Sequence, residues 1–184
     1  ILDLSKIEAG KLDIVPRSVD ISQTINEIAG IFSQKVMEKG LELKIIINDD
    51  LPKIISIDEV RLRQVLLNLI GNAVKFTDKG EINIITRTMN KNEDKVDFAI
   101  EVHDTGIGIS QKLGDEIFEA FTQQMRYDTK KYGGTGLGLA ISKRLTKMMN
   151  GDLYYESEEG RGSIFTVVFK DCKVSESVMK YDDP

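Results

Sequence analysis

A segment with helical periodicity carries two asparagines and a lysine along one side. Residues 59–77, EVRLRQVLLNLIGNAVKFT, repeat apolar residues at helical spacing, and their polar stripe consists of Gln64, Asn68, Asn72 and Lys75. A solvated helix face would account for such a stripe, but asparagine is a poor helix former and an unusual choice for solvation alone. Amide oxygens beside an ammonium group suit a triphosphate bound with Mg²⁺, because this ion prefers hard oxygen ligands and keeps phosphates among them. By itself, the stripe is therefore compatible with two interpretations, a solvated helix face and a site for a magnesium-bound triphosphate.

A glycine-rich turn leads into the last predicted helix. Gly133, Gly134, Gly136 and Gly138 stand directly before or at its start. Main-chain N–H groups at a helix N-terminus, next to flexible glycine backbone, attract anions, and phosphate is the natural one. The pattern matches neither a P-loop nor a dinucleotide fingerprint. Taken alone, a turn of this kind is more often structural than ligand-binding.

A carboxylate lies at the predicted end of a strand. In VHDTGIGI (102–109), Asp104 follows the alternating apolar residues Phe98, Ile100 and Val102 and precedes two glycines. Such a carboxylate can accept a hydrogen bond from the exocyclic amino group of adenine, where guanine has a carbonyl oxygen. An isolated Asp-x-Gly commonly caps its own turn. Three motifs compatible with one nucleotide in a single chain favour the base-reading role for Asp104.

Length and charge restrict the kinds of partner. The chain has 184 residues, with 25 Lys and Arg against 30 Asp and Glu and a net charge of −5, which predicts one globular domain and no nucleic-acid partner. No apolar stretch approaches the length of a membrane span, so we expect no membrane contact from this fragment. The single cysteine, Cys172, excludes an internal disulfide. The first residue is Ile1 and not Met, which indicates a piece of a longer protein.

The order of helical and strand patterns defines the fold class. Apolar spacing predicts three helices within the domain and six strands, with Asp20 or Ser22 and Asp58 as helix caps. The predicted helices cover 20–39, 58–77 and 136–149, and the strands cover 41–48, 53–57, 81–88, 95–103, 152–157 and 163–169. Residues 110–135 are too polar and too long for an ordinary connection, so we expect a functional loop there. Helices separated by hairpins exclude an all-parallel sheet, so we predict helices on one face of a mixed sheet.

Four motifs in this order, NLIGNAVKFT, DTGIGI, FEAF and GGTGLGLAI, resemble the catalytic ATP-binding domain of bacterial sensor histidine kinases. That family belongs to the GHKL superfamily, which it shares with gyrase, Hsp90 and MutL. The resemblance implies an α/β fold of the Bergerat type, which is a two-layer α/β sandwich with a mobile ATP lid. Its mixed sheet of about five strands would be covered on one face by about three helices. The resemblance also implies ATP and Mg²⁺ as cofactors.

The resemblance assigns roles to individual residues. Asn72 resembles the magnesium ligand, and Asn68 and Lys75 resemble the catalytic and phosphate contacts beside it. Asp104 resembles the residue that reads adenine, next to the aromatic Phe76. The other implied nucleotide contacts are hinge glycines, lid phenylalanines, the phosphate loop and single neighbours, namely Gly106, Gly108, Ile109, Phe118, Phe121, Gly134, Thr135, Gly136, Leu137, Gly138 and Thr166.

The lid departs from the family pattern in one place. Many members carry an arginine just after the second lid phenylalanine, whereas this chain has Thr122 and Gln123 there. A cationic contact to the γ-phosphate would then come from Arg126, Lys130 or Lys131.

The histidine that normally accepts the phosphoryl group is missing from this chain. Its only histidine, His103, lies in a predicted strand, where we expect a packed or partly buried imidazole and not a nucleophile. Residues 1–13 resemble the end of the helical hairpin that carries the acceptor, 14–172 the catalytic domain, and 173–184 a tail or linker. The resemblance therefore implies the ATP-binding half of a protein-histidine kinase, which transfers the γ-phosphoryl group of ATP to a histidine on a separate helical domain.

The implied partners are the phosphoacceptor helical domain of the same kinase and the receiver domain of a response regulator. The resemblance further implies that the full-length protein is a homodimer and that this chain is its cytoplasmic portion, in a kinase with or without a membrane anchor. Two alternatives remain: an ATPase clamp of the gyrase, Hsp90 or MutL type, and a degenerate adaptor without catalysis. The clamp ATPases place a glutamate at the position of Asn68, and an asparagine amide cannot act as a general base near neutral pH. The intact Asn72, Lys75 and Asp104 argue against an adaptor.

Overall fold

The structure, a computed structural model, describes residues 12–120 and 136–175. Its helices are α1 (Ile21–Glu38), α2 (Glu59–Phe76) and α3 (Gly138–Met148), with a short 3-10 helix at Gly114–Phe118. Its strands are β1 (Arg17–Asp20), β2 (Glu42–Ile46), β3 (Ile54–Ile57), β4 (Glu81–Lys91), β5 (Lys95–Asp104), β6 (Gly151–Glu158) and β7 (Gly162–Lys173). None of the helices in the described ranges is long and apolar enough to cross a membrane. The three predicted helices and six predicted strands are all present.

Five strands form the main sheet, in the order β2-β4-β5-β7-β6. Strand β2 runs parallel to β4, and every other neighbouring pair is antiparallel. The sheet is therefore mixed, with β5 at its centre between β4 and β7. The predicted two-layer α/β sandwich is confirmed.

Strand β1 was not predicted from the sequence. It pairs with β3 in a separate two-stranded antiparallel sheet. In its four residues, RSVD, only Val19 is buried, so the strand shows no apolar alternation.

The core lies between the helices and one face of the main sheet. Side chains alternate between the two faces of a strand, so every second residue of the central strands can enter this core. The core-facing residues are Ile82, Ile84, Phe98, Ile100, Val102, Val167 and Phe169 on the strands, and Ile25, Ile28, Leu62, Leu66, Leu69 and Ile70 on α1 and α2. Burying one such side chain stabilises the fold by about 1.5–3 kcal/mol, so the polar stripe of α2 stands on a firmly packed helix.

Aspartate side chains begin both long helices. The main-chain N–H of Gln23 donates to Asp20 at 2.9 Å, and that of Arg61 donates to Asp58 at 3.1 Å. The second carboxylate oxygen of Asp58 accepts from the N–H of Val15 at 2.9 Å. The predicted caps Asp20 and Asp58 are confirmed.

Helices α1 and α2 lie side by side and run in the same direction. Arg63 of α2 forms a 2.5 Å ion pair with Glu27 of α1, and about two turns later the ring of Phe32 packs beside Gly71. Lys39, at the end of α1, contacts the end of α2. Both C-termini therefore lie at the same edge of the helical layer.

The last described residues return to the small sheet of β1 and β3. The N–H of Ser175 donates to the carbonyl of Ile54 at 3.0 Å, and Val174 forms a bridge with Ile55. The hydroxyl of Ser18 in β1 donates to the hydroxyl of Ser175 at 3.2 Å. Residues far apart in the sequence are thus neighbours at this corner of the molecule.

Candidate functional site

The polar stripe of α2 meets the start of α3. The side-chain amide of Asn68 donates to the hydroxyl of Ser142 at 3.0 Å, and Ser142 is buried. The other side of the same amide leaves no room at Gly138, because a Cβ there would clash with Asn68 Oδ1. The predicted catalytic asparagine and the predicted phosphate loop therefore touch each other, with a glycine at the point of contact.

Asn72 and Lys75 continue the stripe along α2, and both are partly buried. Burial lowers the pKa of Lys75, and repulsion from Lys35 lowers it further. Its Nζ lies 4.6 Å from the centroid of the Phe76 ring. Within the described residues no carboxylate pairs with this ammonium group, so an anionic ligand would be favoured beside it.

Asp104 is the last residue of β5 and opens the Asp104 loop, which comprises residues 104–109. The N–H of Gly106 donates to its carboxylate at 2.8 Å. Burial raises the pKa of Asp104 to about 6, although main-chain hydrogen bonds from Gly106 and Ser163 act in the opposite direction. The carboxylate is therefore partly desolvated and placed to accept a further hydrogen bond from a ligand.

The Asp104 loop is fastened to the end of α2. The N–H of Ile107 donates to the carbonyl of Phe76 at 3.2 Å. A Cβ at Gly106 would lie 2.5 Å from the same carbonyl oxygen, so only glycine allows this approach. The predicted adenine reader and the predicted aromatic neighbour Phe76 are thus brought together by the main chain.

Gly108 allows a second close approach, to the turn between β6 and β7. It has a φ of +67°, and a Cβ there would clash with the carbonyl of Glu158. The next residue, Ile109, donates its N–H to the hydroxyl of Ser157 at 2.8 Å. The loop is therefore held from two sides.

Ser163 belongs to this site, and the sequence reasoning did not include it. It pairs with Asp104 in the β5–β7 ladder, is buried, and has its hydroxyl 2.9 Å from that of Ser157. Thr166, which the resemblance implied, pairs with Glu101 three residues further along. An odd offset places Thr166 on the opposite face of the sheet, so the structure does not bring it to the site.

Phe118 is anchored where the described chain enters the predicted lid. Its ring meets that of Tyr155 edge-on at 5.8 Å, and Lys143 Nζ lies 4.9 Å from its centroid. The hydroxyl of Tyr155 donates to the carbonyl of Gly114 at 2.8 Å, and Lys143 forms a 2.7 Å ion pair with Asp152. Strand β6 and helix α3 together hold this segment.

The described part of the glycine turn begins at Gly136, which has a φ of +68°. Leu137 is buried and precedes α3, and its side chain has no acceptor for the first N–H groups of that helix. The helix start therefore offers N–H groups to an anion. Several predicted residues lie outside the described residues: Phe121, Arg126, Lys130, Lys131, Gly134 and Thr135.

His103 faces away from this site. It precedes Asp104 in β5 and therefore lies on the other face of the sheet. Its Nε2 is 2.7 Å from a carboxylate oxygen of Glu101, and the side chain is 26% exposed. The imidazole is therefore partly buried, as expected from the sequence.

The donor chemistry fits magnesium better than a softer metal. Residues 12–120 and 136–175 contain no group of three or more His, Cys, Asp or Glu that could hold a metal ion. An amide oxygen such as that of Asn72 is a hard ligand, and Mg²⁺ commonly takes its remaining ligands from phosphates and water. The residues present therefore fit Mg²⁺ that arrives with a nucleotide.

Residues 57–173 match the family described as histidine kinase-, DNA gyrase B-, and HSP90-like ATPases. Hybrid signal transduction histidine kinase L of Dictyostelium discoideum is 44% identical over 92% of this chain. Signal transduction histidine-protein kinase BarA of Escherichia coli K12 is 38% identical over 90% of it. The chain spans 10% and 18% of the lengths of these two relatives.

Solved structures of histidine kinases resemble this chain as well. Full-length ShkA in complex with AMPPNP superposes with a TM-score of 0.82 at 32% identity, over 97% of this chain and 35% of that one. The nucleotide-free catalytic domain of histidine kinase ThkA gives a TM-score of 0.71 at 25% identity, over 87% of this chain and 97% of that one.

The chain therefore belongs to the histidine kinase-, DNA gyrase B- and HSP90-like ATPase family, and within it to the ATP-binding catalytic domains of sensor histidine kinases.

Proposed function

We propose that this domain holds Mg-ATP between α2, the Asp104 loop and the start of α3, and transfers its γ-phosphoryl group to a histidine on the phosphoacceptor helical domain of the same kinase. The observation that carries the proposal is the contact of Asn68 with Gly138 and Ser142. It joins the polar stripe, with its groups for metal and phosphate, to the glycine turn. The end of the same helix contacts the Asp104 loop through the Phe76 carbonyl, so the group for the base borders the same site.

Each side of the site suits one part of the nucleotide. The carboxylate of Asp104 accepts a hydrogen bond from the adenine amino group, and the ammonium of Lys75 and the N–H groups at the start of α3 receive phosphates. Lys75 has a lowered pKa because it is partly buried near Lys35. Phosphate oxygens would favour its charged form and raise that pKa.

Asn72 is the proposed magnesium ligand. When bound, Mg²⁺ neutralises phosphate charge and so makes the γ-phosphorus easier to attack. The chain's own contribution is to orient the phosphates through Asn72, Lys75 and α3. A ring nitrogen of the acceptor histidine then forms a bond to the γ-phosphorus, and ADP departs with the electrons of the broken P–O bond.

Asn68 favours phosphoryl transfer over ATP hydrolysis. Hydrolysis needs a base that takes a proton from water, and an amide has no basic group near neutral pH. Asn68 is also held by Ser142, so its orientation is defined before any substrate binds. A clamp ATPase and a non-catalytic adaptor are therefore the weaker candidates.

The wider partners belong to the same proposal. His103 faces the opposite side of the sheet from the site, so the acceptor has to come from another domain. We propose that a response-regulator receiver domain then takes the phosphoryl group, that the full-length protein acts as a homodimer, and that this domain lies on its cytoplasmic side.

The test supplies the phosphoacceptor helical domain as a separate polypeptide. The 184-residue chain should bind Mg-ATP, carry no acid-labile phosphate itself, and label the added histidine slowly, because no tether raises the local concentration. Asn72→Ala should abolish the transfer while ATP affinity falls less. Asn26→Ala is the matched control, since the Asn26 amide donates to the carbonyl of Ser22 in its own helix, on the exposed side.

Three results would contradict the proposal. Wild-type transfer rates in Asn72→Ala would remove the metal role. Labelled phosphohistidine on the isolated chain, lost in His103→Gln, would place the acceptor within it. Rapid release of inorganic phosphate without any labelled acceptor would favour a clamp ATPase.

A further inference from the structure

The C-terminal end of α2 is capped by a lysine from another helix. The last carbonyls of a helix have no donor within the helix and need one from outside. Here Lys39 Nζ donates to the carbonyls of Val74, Lys75 and Thr77 at 2.9, 3.1 and 2.9 Å. A lysine ammonium group has three donors, and these three carbonyls are its shortest contacts, since Asp78 Oδ1 lies further away at 3.4 Å.

The carbonyl that Lys39 leaves unused is the one that binds the Asp104 loop. Among residues 74–77, only the carbonyl of Phe76 does not accept from Lys39, and it accepts from the N–H of Ile107 at 3.2 Å. A Cβ on Gly106 would also meet this oxygen. Of these four consecutive carbonyls, three therefore accept from the Lys39 ammonium group, and the fourth accepts from the loop that carries Asp104.

Lys39 is itself held in place. It is the C-cap of α1, its N–H donates to the carbonyl of Lys35 at 3.1 Å, and Gly40 follows with a φ of +64°. Its side chain is 23% exposed. Because α1 and α2 run in parallel, their negative C-terminal ends lie together, and a cation at this place compensates both.

We infer that Lys39 is a positioning residue for the nucleotide site. By fixing the carbonyls on both sides of Phe76, it orients the last turn of α2, which carries Lys75, and presents the Phe76 carbonyl to the Asp104 loop. Lys39 does not touch the proposed ligand. The inference rests on the proposed nucleotide binding and adds a residue in α1 that controls it.

An ion pair with Asp78 could also explain why a lysine stands at position 39, but the structure supports this explanation less well. The Nζ–Oδ1 distance is 3.4 Å, and the Asp78 side chain is 47% exposed. Exposed pairs of this kind contribute little. Asp78→Asn keeps the carbonyl contacts and removes this charge, so it separates the two roles.

The experiment compares Lys39→Met with the wild-type chain by calorimetric titration of Mg-ATP and Mg-GTP. Methionine keeps an apolar stem and removes all three donors. We expect the ATP dissociation constant to rise about tenfold and the preference for ATP over GTP to shrink, because the Asp104 loop loses its fixed partner. Lys39→Arg should restore part of both. Asp78→Asn and Lys44→Met, which removes an exposed lysine paired with Glu42 and Glu81, should stay within about twofold of wild type.

Hydrogen exchange supplies a readout that does not depend on ligand. In Lys39→Met the amide of Ile107 should exchange faster while the amides of the central strands keep their protection. A variant with wild-type ATP affinity, ATP preference and Ile107 exchange would overturn the inference. If the wild-type chain binds no Mg-ATP, the proposed function fails, and the Ile107 amide still decides the role of Lys39.

One measurement remains decisive if Lys39→Met does not fold. In the wild-type chain, nitrogen-15 NMR should find the Lys39 ammonium protons exchanging more slowly than those of exposed lysines, because three carbonyls accept from this group at 2.9–3.1 Å. Ammonium protons of Lys39 that exchange as fast as those of exposed lysines would overturn the inference.

Discussion

At the scale of single residues, Asn68 leaves no room for a side chain at position 138. An alanine at position 138 suits the first turn of a helix, but its Cβ would push the Asn68 amide away from Ser142. We expect Gly138→Ala to lower the rate of phosphoryl transfer roughly tenfold to a hundredfold, since small displacements at a reacting centre have effects of that size. The free energy of unfolding should change by less than about 1 kcal/mol.

The control for this variant is Gly30→Ala. Gly30 lies in α1 and is exposed, and a Cβ added there would meet no atom within 4 Å. That substitution should stabilise the fold by about 0.5–1 kcal/mol and leave transfer unchanged. Equal transfer by the two variants, measured with the added phosphoacceptor domain, would show that the Asn68 amide does not need its present position.

Asp104 is the residue at which stability and binding oppose each other. Burial raises its pKa to about 6 from an ordinary value of 3.8. The folded form therefore holds a proton that the unfolded chain releases, which stabilises the fold at low pH. This stabilisation is lost as the pH rises through about 6. Near neutral pH the ionised carboxylate destabilises the folded protein.

Asp104→Asn should therefore be more stable than wild type near neutral pH, by about 1–3 kcal/mol in urea denaturation, and the difference should vanish in acid. ATP should bind about tenfold to a hundredfold more weakly. In wild type, ATP affinity should also decrease as the pH falls below about 6. The titration of ATP itself affects both proteins equally, so the variant should lack only the additional dependence that comes from Asp104. If Asp104→Asn were only as stable as wild type near neutral pH as well as in acid, the burial of a charged Asp104 would be contradicted.

Most of the proposed site could be predicted from residue types and spacing, but one position could not. The sequence motifs indicate their own chemistry through residue type and spacing, and they contain Asn68, Asn72, Lys75 and Asp104. Ser163 is visible only once β7 is paired with β5, because antiparallel pairing sets the start of one strand against the end of the other. Thr166 was implied by the resemblance alone, and the strand pairing places it on the opposite face because its offset from Ser163 is odd.

At the scale of elements, the 3-10 helix contacts both strand β6, through Tyr155, and helix α3, through Lys143. Tyr155→Phe removes only the hydrogen bond to the carbonyl of Gly114. We expect faster amide exchange in residues 114–118 and a loss of about 0.5–1.5 kcal/mol in local stability. Tyr154→Phe is the matched control, since Tyr154 is its neighbour on the opposite face and is 44% exposed. Identical exchange in both variants would show that the Tyr155 hydroxyl does not anchor this segment.

Helices and hairpins could be predicted because their periodicity is local. The partner of β2 could not, since its residues 42–46 pair in parallel with 81–85 and apolar alternation does not name a partner. Strand β1 buries a single apolar residue and leaves no pattern. The expectation of a mobile lid over 110–135 stays a prediction.

At the scale of the whole molecule, the site exists only when distant parts of the chain are assembled. Its groups come from α2, from the end of β5, from the start of β7 and from the start of α3. A ligand that contacts all of them binds the folded state alone, and at a hundredfold excess over its dissociation constant it would stabilise the fold by about 2.7 kcal/mol. The fold class was predictable because each of these elements has its own signal and few topologies accommodate them all.

The contact between Ser18 and Ser175 brings the first strand of the domain next to its last described residue. Ser18 and the last described residue, Ser175, meet at this corner, so a flexible linker from residue 175 back to residue 12, which keeps the buried Leu12 and the bond from Val15 to Asp58, should close the backbone without strain. A circular permutant that reopens the chain in the exposed turn at 92–94 should melt close to the wild-type temperature and bind ATP with similar affinity. Retention of both properties would show that the fold depends on the contacts between its strands and not on the order of the strands along the chain.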